Sequence, residues 1–220
     1  MKKILLLLFC SFTIAIVFAQ KEPYPFWNDV QKFKKLDSAS FPASKQILFI
    51  GSSSFTMWRD VGDYFPKHKI INRAFGGSQL VDLIRYRYEV IYPYQPKQIV
   101  MYCGENDIAS SDTVTGRVAV ERFKTLFTLI RAKYPKVPFA YVSMKPSPAR
   151  ERLMPEYKAA NEGIAAFLKT QKKAVYIDVY NKMLKPDGSP MTDIFLKDNL
   201  HMNAEGYKIW QKIMRPYLKK

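Results

Sequence analysis

Gln46-Ile47-Leu48-Phe49-Ile50-Gly51-Ser52-Ser53-Ser54-Phe55-Thr56-Met57-Trp58 is the stretch that decides the fold. An apolar run over residues 47–50 stops at Gly51, and three serines follow. Apolar, β-favouring residues broken by glycine predict a buried strand running into a loop. In an open α/β sheet a parallel strand delivers its chemistry at its carboxyl end, in the crevice outside the sheet. A hydroxyl just past Gly51 therefore stands where such a fold holds a nucleophile. Taken alone, the stretch reads equally well as a serine-rich turn ahead of a helix.

Further apolar runs suited to buried strands follow at residues 70–71, 99–102, 139–142 and 175–177. Between them the apolar spacing turns helical. Leu80, Leu83, Ile84, Val90 and Ile91 predict one helix, and Val118, Phe123, Leu126, Phe127 and Ile130 a second that ends at Tyr134-Pro135. Tyr157, Ile164, Phe167 and Leu168 mark a third. Residues 204–217 form the last, with Asn203 as its N-cap. Strands alternating with helices predict an α/β protein, a three-layer α/β/α sandwich around a five-stranded, mostly parallel sheet.

The 220 residues, 48% of them hydrophobic, suffice for one sizeable core. No repeat or low-complexity segment divides them, so residues 46–220 are read as one domain. Residues 20–45 mix aromatic and charged side chains with Pro23, Pro25 and Pro42, and are expected to lie over that domain as an arm. Residues 1–19 have the pattern of a secretory signal peptide: Lys2 and Lys3, an apolar run, then Val17-Phe18-Ala19 at the cleavage position. Export to the periplasm or the exterior follows from that reading, with an uncleaved anchor as the alternative. Cys10 lacks the small residues that a lipidation site wants ahead of it. Removal of the leader leaves Cys103 as the one cysteine, so no internal disulfide is expected.

The formal charge is +16, or +14 once Lys2 and Lys3 leave (16 − 2). Such a balance invites an anionic partner. The lysines are scattered along the sequence without a recognition-helix pattern, so no nucleic-acid partner is expected. A solvated basic face is the preferred reading, with attraction to anionic lipid or acidic glycan left open.

Three more motifs sit at predicted strand ends. Asn72-Arg73-Ala74-Phe75-Gly76-Gly77-Ser78 follows the second strand, and its glycine pair lets backbone amides face a ligand. Gly104-Glu105-Asn106-Asp107 follows the third, where a carboxamide can donate into the crevice, although turns also favour these residues. Asp198-Asn199-Leu200-His201 precedes the last helix. A carboxylate three residues before an imidazole can hold one ring nitrogen and leave the other free as a base. There is no second histidine or cysteine cluster at ligand spacing, so no metal is expected. The chain also lacks a G-x-S-x-G elbow, which disfavours an α/β-hydrolase.

These four motifs, in this order, resemble the blocks of the SGNH or GDSL hydrolases, a family with a flavodoxin-like sheet. The resemblance spans roughly residues 46–215. It implies Ser53 as nucleophile and His201 and Asp198 as its triad partners. It also implies Ser53, Gly77 and Asn106 as oxyanion donors, and no cofactor. Ser52 stands where the family usually has aspartate. The expected activity is hydrolysis of carboxylic esters. Aromatics form 15% of the chain and suit sugar rings, which favours O-acetyl groups of carbohydrate. A lysophospholipase or short-chain esterase is the rival enzyme, and a silent carbohydrate- or surface-binding domain the rival of another kind. Arg150, on the proline loop after the fourth strand, is a candidate for binding an anionic or sugar group. Trp58 is a candidate wall of the acyl or sugar site, with packing on the core as the preferred reading. Cys103 is read as a small buried hydrophobe, and Glu105 as a loop acid without a chemical role.

Overall fold

The structure, a computed structural model, describes residues 24–220. The expected leader, residues 1–19, and the first residues of the arm lie outside the described residues. The strands are β1 Ile47–Gly51, β2 Ile70–Asn72, β3 Gln98–Tyr102, β4 Phe139–Val142 and β5 Ala174–Ile177. They pair in the order β2-β1-β3-β4-β5, and every pairing is parallel. The order reverses between β1 and β3, and an open sheet of this kind has its ligand crevice outside the carboxyl ends at that point.

The helices are α1 Trp27–Ala39, α2 Ser53–Thr56, α3 Val61–Tyr64, α4 Leu80–Arg85, α5 Arg87–Val90, α6 Glu105–Ala109, α7 Gly116–Lys133, α8 Met154–Lys169 and α9 Ala204–Met214. Side chains alternate across a strand, so β1 feeds two cores. Leu48 and Ile50 pack with Val30 of α1, Leu83 of α4, Phe123 of α7 and Ile164 of α8. Ile47 and Phe49 pack on the other face with Phe55 of α2, Val61 of α3 and Trp210 of α9. All five residues of β1 and of β3 are buried, as expected of parallel strands covered on both faces.

Three elements differ from expectation. The arm is largely a helix, α1, with Val30 buried against the sheet side of α5. The helix expected over residues 80–91 is broken at Tyr86, whose hydroxyl donates to the carbonyls of Tyr24 (3.2 Å) and Pro25 (2.8 Å) and so holds the start of the arm. The last helix stops at Met214, and a 3-10 turn, Arg215–Tyr217, continues it because Pro216 has no N–H to donate.

Candidate active site

β1 ends at Gly51 with φ +137, and a Cβ at this position would overlap the Tyr102 carbonyl of β3. Only glycine lets the chain leave the sheet here and turn at once into α2. The Ser52 amide donates to that same Tyr102 carbonyl (3.0 Å). Ser53 then opens α2, so its N–H is one of the first in the helix, which have no carbonyl a turn earlier to pair with. Of the three serines, Ser52 and Ser54 are each 2% exposed, whereas Ser53 is half-buried.

The loop after β2 folds over this turn. The Phe75 amide and the Ser78 hydroxyl both donate to the Gly51 carbonyl, at 2.9 and 3.0 Å. Asn72 ties the loop to α2 by donating from Nδ2 to the Phe55 carbonyl (2.7 Å). Gly77 takes φ +81, and the space above Gly76 opens toward the Ser53 Cβ, 4.0 Å from where a Gly76 Cβ would stand. The Phe26 ring lies against Gly77, so the arm reaches the crevice end of the sheet. Arg73 turns away from the crevice and pairs with Asp37 of α1.

After β3, Gly104 takes φ +129 and starts α6, which carries Asn106. Asn106 Nδ2 donates to the Ser78 carbonyl at 3.0 Å. This bond ties the loop after β2 to the loop after β3 across the switch point. Asp107 lies beneath, fully buried, accepting from the Leu80 amide and from Arg122, each at 2.9 Å. Burial raises its pKa, and the Arg122 hydrogen bond opposes the rise.

The fourth motif lies on the loop that leads into α9. Asp198 Oδ2 lies 2.6 Å from His201 Nδ1, and Asp198 Oδ1 accepts from the amides of Leu200 and His201, both at 2.9 Å. Asn199 supplies the tight turn with φ 55. Desolvation pushes the Asp198 carboxyl up, but the His201 ring and the two amides outweigh it and hold its pKa at about 2. The loop is fixed from two sides. The Ala149 amide donates to the Asn199 carbonyl (3.0 Å), and Tyr207 of α9, just downstream, donates to the Ser54 carbonyl (2.9 Å). The second bond joins the helix after His201 to the turn that carries Ser53.

Sequence reasoning missed the polar cluster under Asn106. Glu105 is 5% exposed and anything but an idle loop acid. It accepts from the Tyr102 hydroxyl, the Lys145 amide (2.9 Å) and the Lys145 ammonium (3.2 Å). Burial lowers the pKa of Lys145, and Glu105 opposes the fall. Arg150 reaches the crevice, but its guanidinium faces inward, 2.9 Å from Asn106 Oδ1 and 3.7 Å from Glu105. These contacts are compatible with the expected binding of an anionic or sugar group, since a guanidinium carries five N–H donors. Trp58 is corrected as a wall of the acyl or sugar site, and the preferred core reading holds. It is 0% exposed and stacked on Tyr207 (4.7 Å), with Phe65 and Trp210 around it, so it is core and lines no crevice. Cys103 is buried as expected, with its thiol pKa raised by desolvation.

Comparison with known proteins gives a consistent picture. The sequence profile of the GDSL-like Lipase/Acylhydrolase family matches residues 50–209. Among curated proteins, none matches. Among solved structures, the chain is similar to a GDSL-like lipase from Bacteroides thetaiotaomicron (22% identity, TM-score 0.72, covering 86% of this chain and 96% of that one). It is also similar to a carbohydrate esterase family 3 protein from Talaromyces cellulolyticus (14%, TM-score 0.63, covering 79% and 95%). A third is a variant of an acetyl-xylooligosaccharide esterase from Geobacillus Stearmophilus (11%, TM-score 0.63, covering 81% and 96%). At these identities the likeness is one of fold.

Proposed function

This chain belongs to the GDSL-like lipase/acylhydrolase family, a hydrolase of ester bonds, and we propose that Ser53, His201 and Asp198 are its catalytic triad. The observation that carries the proposal is the 2.6 Å contact between Asp198 and His201 Nδ1, on the loop leading into α9, whose Tyr207 donates to the Ser54 carbonyl next to Ser53. Asp198 holds the imidazole with its proton on Nδ1, which leaves Nε2 to take the Ser53 proton as Oγ attacks the ester carbonyl. The Ser53 and Gly77 amides and Asn106 Nδ2 stabilise the tetrahedral oxyanion. The imidazolium returns its proton to the leaving alcohol, and water then releases the acyl group by the same steps in reverse.

The substrate we propose is a short O-acyl group, acetyl above all, on carbohydrate. Burying an alkyl chain yields about 0.8 kcal/mol per CH2, which requires apolar walls. Beside the Ser53 Cβ stands Gly76, which presents no side chain there. The large aromatics of α2 and its neighbours, Phe55 and Trp58, turn into the core. Two of the fold neighbours bear names of carbohydrate esterases. A panel of acetylated sugars against p-nitrophenyl esters of rising chain length tests the reading. We expect the highest kcat/KM on acetyl esters and a steep fall beyond butyryl. A preference for long acyl chains would transfer the assignment to a lysophospholipase. Export is proposed with it, from the leader-like residues 1–19.

A further inference from the structure

Lysines scattered in the sequence converge in the fold. Each strand begins next to one: Lys45 ahead of β1, Lys69 ahead of β2, Lys97 ahead of β3, Lys136 ahead of β4 and Lys173 ahead of β5. Since the sheet is wholly parallel, all five lie at one edge, the amino end, opposite the crevice. Main-chain bonds lock these segments side by side, from the Lys45 amide to the Gln95 carbonyl, Lys97 to Gln46, Ile47 to Lys69, Ile99 to Pro138 and Phe139 to Lys173. The carboxyl terminus joins them, with the Lys219 amide donating to Gln98 Oε1 at 2.8 Å.

The composition of this edge is one-sided. Residues 40–46, 65–69, 92–97, 134–138, 170–173 and 215–220 together hold nine lysines, one arginine and no aspartate or glutamate. Eight of the nine lysines are exposed, Lys97 being half-buried. Among the described residues none of the nine is in an ion pair. Exposed apolar groups stand among them: Phe41 (57%), Tyr217 (39%) and Val175 (38%). A cavity of about 390 Å³ between Lys136, Lys173, Lys219, Phe139, Val175 and Tyr217 opens here.

We propose that this lysine edge docks the enzyme onto an anionic lipid surface, with the crevice facing away from it. Unpaired ammonium groups across a sheet about 19 Å wide meet a broad field of phosphate charge. Nine lysines to one arginine suit such a diffuse surface. Nucleic-acid sites instead draw on guanidinium forks and stacked bases. Phe41, Tyr217 and Val175 supply the amphipathic contact that an interface accepts. The strands hold the crevice roughly 17 Å above the docking edge, so the bound enzyme would act on soluble or glycan esters.

The test is vesicle sedimentation of the full chain. Phosphatidylglycerol-containing vesicles should bind it and pure phosphatidylcholine should not, with binding lost as salt rises. A triple variant, Lys136→Glu, Lys173→Glu and Lys219→Glu, should bind at least tenfold more weakly while hydrolysing soluble p-nitrophenyl acetate at the normal rate. Lys158→Glu, Lys182→Glu and Lys185→Glu, exposed lysines outside the edge with the same total charge change, should bind as the unaltered protein does. Equal loss in both triples, equal binding to the two vesicle types, or tighter binding to duplex DNA than to phosphatidylglycerol vesicles at equal phosphate would overturn the proposal.

Discussion

Arg150 Nη2 donates to Asn106 Oδ1 at 2.9 Å, while Asn106 Nδ2 donates to the Ser78 carbonyl at 3.0 Å. Both ends of the carboxamide are therefore fixed, and the second N–H of Nδ2 is the one left for the crevice. Without Arg150 the amide can turn over and present an acceptor where a donor is needed. Arg150→Met should lower kcat about 10- to 100-fold with little change in KM. That is less than the 10²–10³ expected for Asn106→Ala, which removes the donor itself. Steady-state kinetics on a soluble acetyl ester check this, and Arg150→Lys should restore only part of the loss because it cannot reach both partners as a fork.

Lys145 and Glu105 make a buried pair, at 1% and 6% side-chain exposure. Glu105→Gln leaves an ammonium with no carboxylate partner there and should destabilise by about 3–5 kcal/mol. Lys145→Met leaves Glu105 with the Tyr102 hydroxyl, the residue 145 amide and Arg150, and should cost less. Urea unfolding of the two variants checks the order.

The Asp198 carboxyl is held at about 2 in the folded chain, below its unfolded value. A lowered folded pKa contributes stability above the unfolded pKa, and that contribution is lost as pH falls toward the folded one. The stability difference between the unaltered protein and Asp198→Asn should therefore be constant above about pH 5 and shrink toward about pH 2. With Asp198 nearly half exposed, the difference should not exceed about 1 kcal/mol. Denaturant titrations across that window measure it.

Gly51 and Gly62 make a contrast in backbone demand. Gly51→Ala meets the Tyr102 carbonyl at a φ of +137 and should cost roughly 3 kcal/mol or more, enough to prevent soluble expression. Nothing lies within 4 Å of a Cβ on Gly62 in α3, so Gly62→Ala should be neutral or stabilise by about 0.5–1 kcal/mol. Soluble yield decides the first and thermal melting the second.

The strands were legible because parallel strands buried on both faces are written as short apolar runs, as residues 47–50 and 99–102 are. The loops at their ends were legible because glycines and polar residues interrupt those runs. α1 was not anticipated, although Trp27, Val30 and Phe33 recur at helical spacing, because Pro23, Pro25 and the surrounding charges suggested irregular chain. The contacts of Arg150 and Glu105 could not be read from the sequence. Their meaning lies in a contact across 44 or 45 positions, and nothing local distinguishes an arginine that binds substrate from one that holds a carboxamide. The lysine edge was hidden for a topological reason. Its members are far apart in sequence and become neighbours only once every strand runs the same way.

Ser53 is proposed as the nucleophile, activated by His201. The most direct measurement is fluorophosphonate labelling of the purified protein, followed by peptide mapping, on the unaltered chain and on Ser52→Ala, Ser53→Ala and Ser54→Ala. One label on Ser53 is expected, retained in the Ser52 and Ser54 variants, lost in Ser53→Ala together with roughly 10⁶ in turnover, and much slowed by His201→Ala. A label on Ser52, or full turnover by Ser53→Ala, would contradict the account.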